Sequence, residues 1–128
     1  MIYSIFILLI AFQIKHFVCD FPLQNNYMLG KMNREKWIKP LLAHSLVHSF
    51  GTFVIVIIAT ANIYISIILS IADLILHFIV DRLKASPEFG GRFKMDQPYF
   101  WWALGLDQMA HHIINYIFIV IIVSYNFI

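Results

Sequence analysis

The sequence predicts an all-α integral membrane protein, a single domain over residues 1–128 built as a bundle of four transmembrane helices. Two observations carry that reading. Hydrophobic residues make up 61% of the chain and charged residues only 12%, against roughly 25% charged in soluble domains. A chain of 128 residues has too high a surface-to-volume ratio to hide that much apolar surface from water, so lipid is the expected solvent. The apolar residues also fall into four segments of about 20 residues, the length that crosses a bilayer.

The segments are 2–19, 41–59, 63–83 and 99–124. The first has no basic leader and no A-x-A-like cleavage site, and its charges, Lys15 and Asp20, come at its far end. It is therefore expected to be a membrane helix rather than a cleaved signal peptide. The second and third form one long apolar stretch, which as a single helix would overshoot the bilayer. The break is placed at Thr60-Ala61-Asn62, giving a helical hairpin. Pro22 and Pro87 fall just beyond helix ends, and Pro40 and Pro98 just before or at helix starts, where a missing N–H costs nothing. Cys19 is the one cysteine, so no intrachain disulfide forms.

Basic residues set the expected orientation. Lys31, Arg34, Lys36 and Lys39 lie in the first loop, and Arg82, Lys84, Arg92 and Lys94 in or beside the third. The turn at Asn62 and the C-terminal tail carry none. The positive-inside rule puts the first and third loops in the cytoplasm and both termini outside. Trp37, Trp101 and Trp102 then fall near the cytoplasmic interface, with Tyr3, Tyr64 and Tyr125 near the other. The net charge of +2 reports topology, and nothing supports nucleic-acid binding.

Histidines and aspartates carry the functional signal. His16 and Asp20 end helix one, His44 and His48 open helix two, Asp73, His77 and Asp81 run along helix three, and Asp107 and His111 lie on helix four. Every helix thus presents such residues four apart, on one face. Random placement gives roughly 0.8 pairs at this spacing; the sequence has five. Facing lipid, each charge would cost roughly 2.5–3.5 kcal/mol. Facing one another, the groups can pair or hold a metal, since imidazole and carboxylate are the usual ligands of zinc, iron and manganese. Plainer readings exist for single pairs. His16 with Asp20 can snorkel to water, and His44 with His48 can open a helix. The row Asp73, His77, Asp81 resists them, because Asp73 is too deep to reach water. His112 points about 100° away from His111 and reads as a helix contact. Gln13 and Asn115 read as interhelical hydrogen bonders, Lys15 as an interfacial anchor, and Cys19 as packing.

The elements His16-x-x-x-Asp20-Phe21-x-x-Gln24, His44-x-x-x-His48, Asp73-x-x-x-His77-x-x-x-Asp81-x-x-Lys84 and Asp107-Gln108-x-x-His111 resemble a family of small bacterial and phage membrane proteins catalogued as a domain of unknown function. The resemblance spans nearly the whole chain. It implies a bacterial inner-membrane protein, and the basic loops place its site toward the cytoplasm. More loosely, the pattern is similar to membrane-embedded metal-dependent hydrolases, including the ceramidase-like group, which set His and Asp from several helices around zinc.

The resulting expectation is a metal-dependent hydrolase acting on a lipid or lipid-linked substrate at the cytoplasmic leaflet. The expected cofactor is a divalent ion, zinc first and manganese or iron as alternatives. Its candidate ligands are His44, His48, His77, Asp81, Asp107, His111 and His16. Asp73 and Asp20 are the candidate catalytic carboxylates, and Gln24, Lys84 and Gln108 the groups that support the ligands. So many candidates exceed one tetrahedral site, so either two ions bind or some residues orient the rest. The alternatives are a proton or divalent-cation carrier or channel, and a non-enzymatic small membrane effector. Membrane lipid is the expected partner, and a homodimer stays open.

Overall fold

Four helices follow one another, α2 and α3 through a tight turn and the others through longer loops: α1 (Ile2–Asp20), α2 (Ile38–Thr60), α3 (Ile63–Ala85) and α4 (Pro98–Tyr125). The computed structural model describes residues 2–126; Met1 and residues 127–128 lie outside it. No strand forms among the described residues. All four helices are long and apolar enough to cross a membrane. Their outward faces bear large apolar side chains in the open, Ile58 at 78% and Phe50 at 69% exposure among them. A surface of that kind is stable against hydrocarbon and not against water.

Local chemistry sets the helix limits. α2 begins at Ile38, a few residues before the apolar run, because Pro40 in the first turn removes an N–H that has no helical partner anyway. Pro98 starts α4 for the same reason. The α2–α3 turn is Ala61-Asn62. Ala61 takes a left-handed conformation (φ 49°) that closes α2. Asn62 then caps α3, its Oδ1 accepting from the backbone N–H of Tyr64 at 2.9 Å and of Ile65 at 3.3 Å.

The helices alternate in direction, so the 21–37 and 86–97 connections share one end of the bundle, the basic end. Each carries a short 3-10 turn, Met28–Met32 and Gly90–Arg92. Arg82 ties the first connection to α3. Its guanidinium donates to the carbonyls of Lys31 at 3.1 Å and Asn33 at 3.2 Å, and lies 3.8 Å from the Trp37 ring centre. At the opposite end, the Asn62 amide donates to the Tyr125 hydroxyl at 2.6 Å.

The interior changes character along the bundle axis. On α3 the buried stripe reads Ser66, Leu69, Asp73, His77, Asp81, Ala85, one residue per turn on a single face. Toward the Asn62 end the core is apolar, with Leu8, Phe12, Val56, Leu69, Phe118, Ile119 and Ile122 in mutual contact. One turn nearer the basic end, Lys15 of α1 bonds Asp73 of α3 at 2.8 Å, and Thr52 of α2 bonds the same carboxylate oxygen at 2.6 Å. Beyond this polar floor lie the histidines.

Candidate metal centre

The four-apart pattern places one or two polar groups from every helix at the same level. α1 brings His16 and Asp20, α2 His44 and His48, α3 His77 and Asp81, and α4 Asp107 and His111. All are buried except Asp20, whose carboxylate is 20% exposed and faces the basic end. His77 stands at the centre. Its ring centre is 3.7 Å from that of His48, 4.2 Å from His111 and 5.5 Å from His44.

Two sets of ligand atoms draw together closely enough to hold a metal ion. One comprises Asp20, His44, His48 and His77, the other His77, Asp81 and His111, with atoms in each within 4.8 Å of one another. His44 Nε2 sits 3.3 Å from Asp20 and 3.2 Å from Asp81. His48 Nε2 is 3.0 Å from Asp20, while Asp81 Oδ1 is 3.6 Å from His77 Nε2 and 3.4 Å from His111 Nε2. Ligands about 2.0–2.2 Å from a tetrahedral ion lie about 3.3–3.6 Å apart, so this spacing is close to that of atoms arranged around a common centre.

Hydrogen bonding supports that fit. The Nε2 atoms of His44, His77 and His111 are buried without a hydrogen-bond partner despite the nearby carboxylates. Leaving such groups unsatisfied costs about 1–3 kcal/mol each. A cation held by the first set would take a nitrogen from His44 and from His77, while His111 belongs to the second set. His111 is also held in the tautomer a metal needs, with Nδ1–H donating 2.8 Å to the Asp107 carbonyl of its own helix, which leaves the Nε2 lone pair facing inward.

Charge distinguishes the two sets. Asp73 is matched to Lys15 at 2.8 Å, Asp81 to Lys31 at 2.7 Å and Asp107 to Lys84 at 3.2 Å. Asp20 has no lysine or arginine partner among the described residues. Its neighbours are the imidazoles of His16 at 3.0 Å, His44 and His48. The one carboxylate of the bundle without a fixed cation therefore belongs to the set with three histidines.

The other candidates sit beside this centre. His16 holds Asp20 and reaches the Gln108 side chain at 3.3 Å. Asp107 lies 3.4 Å from His111 Nδ1, and Gln108 donates to it at 3.1 Å. Gln24 is half-buried in the turn after α1, and no hydrogen bond among the described residues ties it to the cluster. Asp73 lies a turn deeper, about 6 Å along the axis from His77, and is occupied by Lys15 and Thr52. Lys15 is no interfacial anchor. It is 8% exposed and turned into the bundle, where Gly51 makes room: a Cβ there would stand 2.8 Å from Lys15 Cγ. Spacing alone does not reveal Lys15, Lys31 and Thr52 as partners. The one available signal was Asp73 itself, since a carboxylate too deep for water requires a cation.

A four-helix bundle of spanning length with a buried His and Asp centre is the class of protein that fold and site define. The chain belongs to the family described as "Protein of unknown function (DUF3307)", whose match covers residues 7–128 and so includes every residue of the centre. No curated protein and no solved structure matches it.

Proposed function

We propose that the protein is a membrane-embedded metal-dependent hydrolase that acts on a lipid or lipid-linked substrate at the leaflet beside the basic loops. The observation that carries this reading is the gathering of Asp20, the one carboxylate of the bundle that lacks a lysine, with His44, His48 and His77 into one buried set of closely spaced ligand atoms. Three histidines and an aspartate are a donor set suited to zinc, and acceptable to manganese or iron. The basic loops support a cytoplasmic-facing site.

The proposed ligands are Asp20, His44, His48 and His77. Charge favours one ion. A divalent cation beside Asp20 leaves a net charge of about +1 in apolar surroundings, and a second would raise it with no free carboxylate to offset it. His77 is common to both sets, and a neutral imidazole has one lone pair to give. When bound, such an ion supplies Lewis acidity, activating a water and polarising a carbonyl or phosphoryl oxygen.

The remaining groups position and move protons. His16 orients Asp20 through a 3.0 Å contact. Asp81 Oδ1 faces His77 and His111 while Lys31 holds Oδ2, so Asp81 is a better placed proton acceptor than Asp73. A carrier or channel needs the polar path to continue, yet below Lys15 and Asp73 the core is closed by Phe12, Val56, Phe118 and Ile122. That layer supports a one-sided site.

The test is a chelator-controlled turnover assay in lipid nanodiscs, using ester- and phosphodiester-containing lipids. Release of fatty acid, of the headgroup alcohol or of its phosphomonoester should cease with chelator and return with zinc, and Asp81→Asn should lose turnover by about 100-fold or more while keeping its metal. Metal-loaded protein that turns over none of these lipids would contradict the hydrolase reading.

A further inference from the structure

A cavity of about 640 Å³ opens between α3, α4 and the loop joining them. Its walls are apolar, formed by Val80, Leu83, Phe89, Phe93, Ala103 and Leu106. Its polar groups are Lys84, Glu88, Arg92 and Asp107. The loop wall is firmly seated. A Cβ at Gly90 would stand 2.6 Å from the Lys84 carbonyl, and one at Gly91 would meet the Ala85 carbonyl, so only glycine allows the loop this close to α3.

We infer that this cavity binds one phospholipid, with its phosphate at Lys84 and Arg92 and an acyl chain along the α3–α4 seam. Size and setting favour that occupant. Ligand cavities span about 300–1,000 Å³, and this one is flanked by helices of membrane-spanning length, where hydrocarbon rather than water fills apolar space. The cations remain available. Lys84 reaches Asp107 at 3.2 Å and is still 38% exposed, and an ammonium has three donors to share. Arg92 lies over the Phe93 ring, 4.8 Å from its centre, and makes no ion pair among the described residues. Glu88 at the same opening offsets part of this charge. Recognition therefore falls on the phosphate, not on the overall charge of the lipid.

The inference deepens the hydrolase reading by naming its substrate class, and it rests on that reading for any chemistry after the lipid has bound. Asp107 lines the cavity and stands 3.4 Å from His111 Nδ1, so a lipid seated here lies at the edge of the centre.

The experiment is native mass spectrometry of protein released from nanodiscs of phosphatidylethanolamine and phosphatidylglycerol doped with diacylglycerol. The protein should retain one phospholipid of either headgroup and no diacylglycerol. Ala103→Trp, which fills the cavity, and Arg92→Ala, which leaves the Lys84–Asp107 pair in place, should each lower occupancy by about tenfold, with helix content and bound metal unchanged. Equal occupancy in the parent and in Ala103→Trp, or retention of diacylglycerol alongside phospholipid, would overturn the proposal. Metal-free protein that still retains phospholipid would count against the metal centre alone, and metal-loaded protein without lipid against the cavity alone.

Discussion

At the scale of single residues, the site is a matter of matched charges. Three buried aspartates each face a lysine, and the half-buried fourth, Asp20, faces only histidines. The Lys15–Asp73 pair shows what such matching is worth. Both side chains are almost wholly buried, and removing one partner strands a charge in low dielectric at a cost of about 3–5 kcal/mol. Lys15→Met should therefore destabilise the protein by about that much, read as loss of folded protein in a detergent or denaturant series. Adding Asp73→Leu should recover most of the loss, because an apolar pair of similar volume is often as stable. If the double variant is no better than the single, the pair has a role beyond neutralising itself.

At the scale of elements, the helices convert sequence spacing into shared faces, which is why so much was legible. The row Asp73, His77, Asp81 could be assigned to one buried stripe from its spacing of four, and α3 buries it. The break at Thr60-Ala61-Asn62 followed from bilayer thickness alone, and the structure adds that Asn62 caps α3 there. This turn carries its own prediction. Ala61 holds φ 49°, a conformation that costs a residue with a Cβ about 1 kcal/mol. Ala61→Gly should therefore stabilise the hairpin by up to about 1 kcal/mol, whereas Asn62→Ala should destabilise it by about 1 kcal/mol through the lost cap. A thermal shift of the same sign in both variants would contradict the turn geometry. Spacing fixes a face but not a partner. Lys31 comes from a loop with no periodicity, and its 2.7 Å bond to Asp81 depends on how that loop folds back. The same limit separates His16 and Asp107, placed beside the centre, from Asp20 and His44, placed within it. Helical faces give direction, and ligation is decided by differences of about 1 Å.

At the scale of the whole molecule, the bundle is divided along its axis. An apolar plug fills the Asn62 end, a Lys15–Asp73–Thr52 floor closes it, and the histidine layer opens through Asp20 toward the basic loops. A spanning bundle with polar chemistry at one end only is suited to a reaction at one leaflet, and the α3–α4 cavity lies at that same end. The composition already required lipid around the bundle. The division of its interior was visible only once the stripes of all four helices were aligned in depth.

The central claim is that Asp20, His44, His48 and His77 hold one divalent ion, and elemental analysis of protein purified without chelators tests it most directly. The parent should carry about one equivalent of zinc, manganese or iron. A His77→Ala, Asp20→Asn double variant, compared at equal helix content by circular dichroism, should carry almost none. A parent that is metal-free after mild purification and takes up none on titration, or a double variant that keeps its full equivalent, would contradict the account.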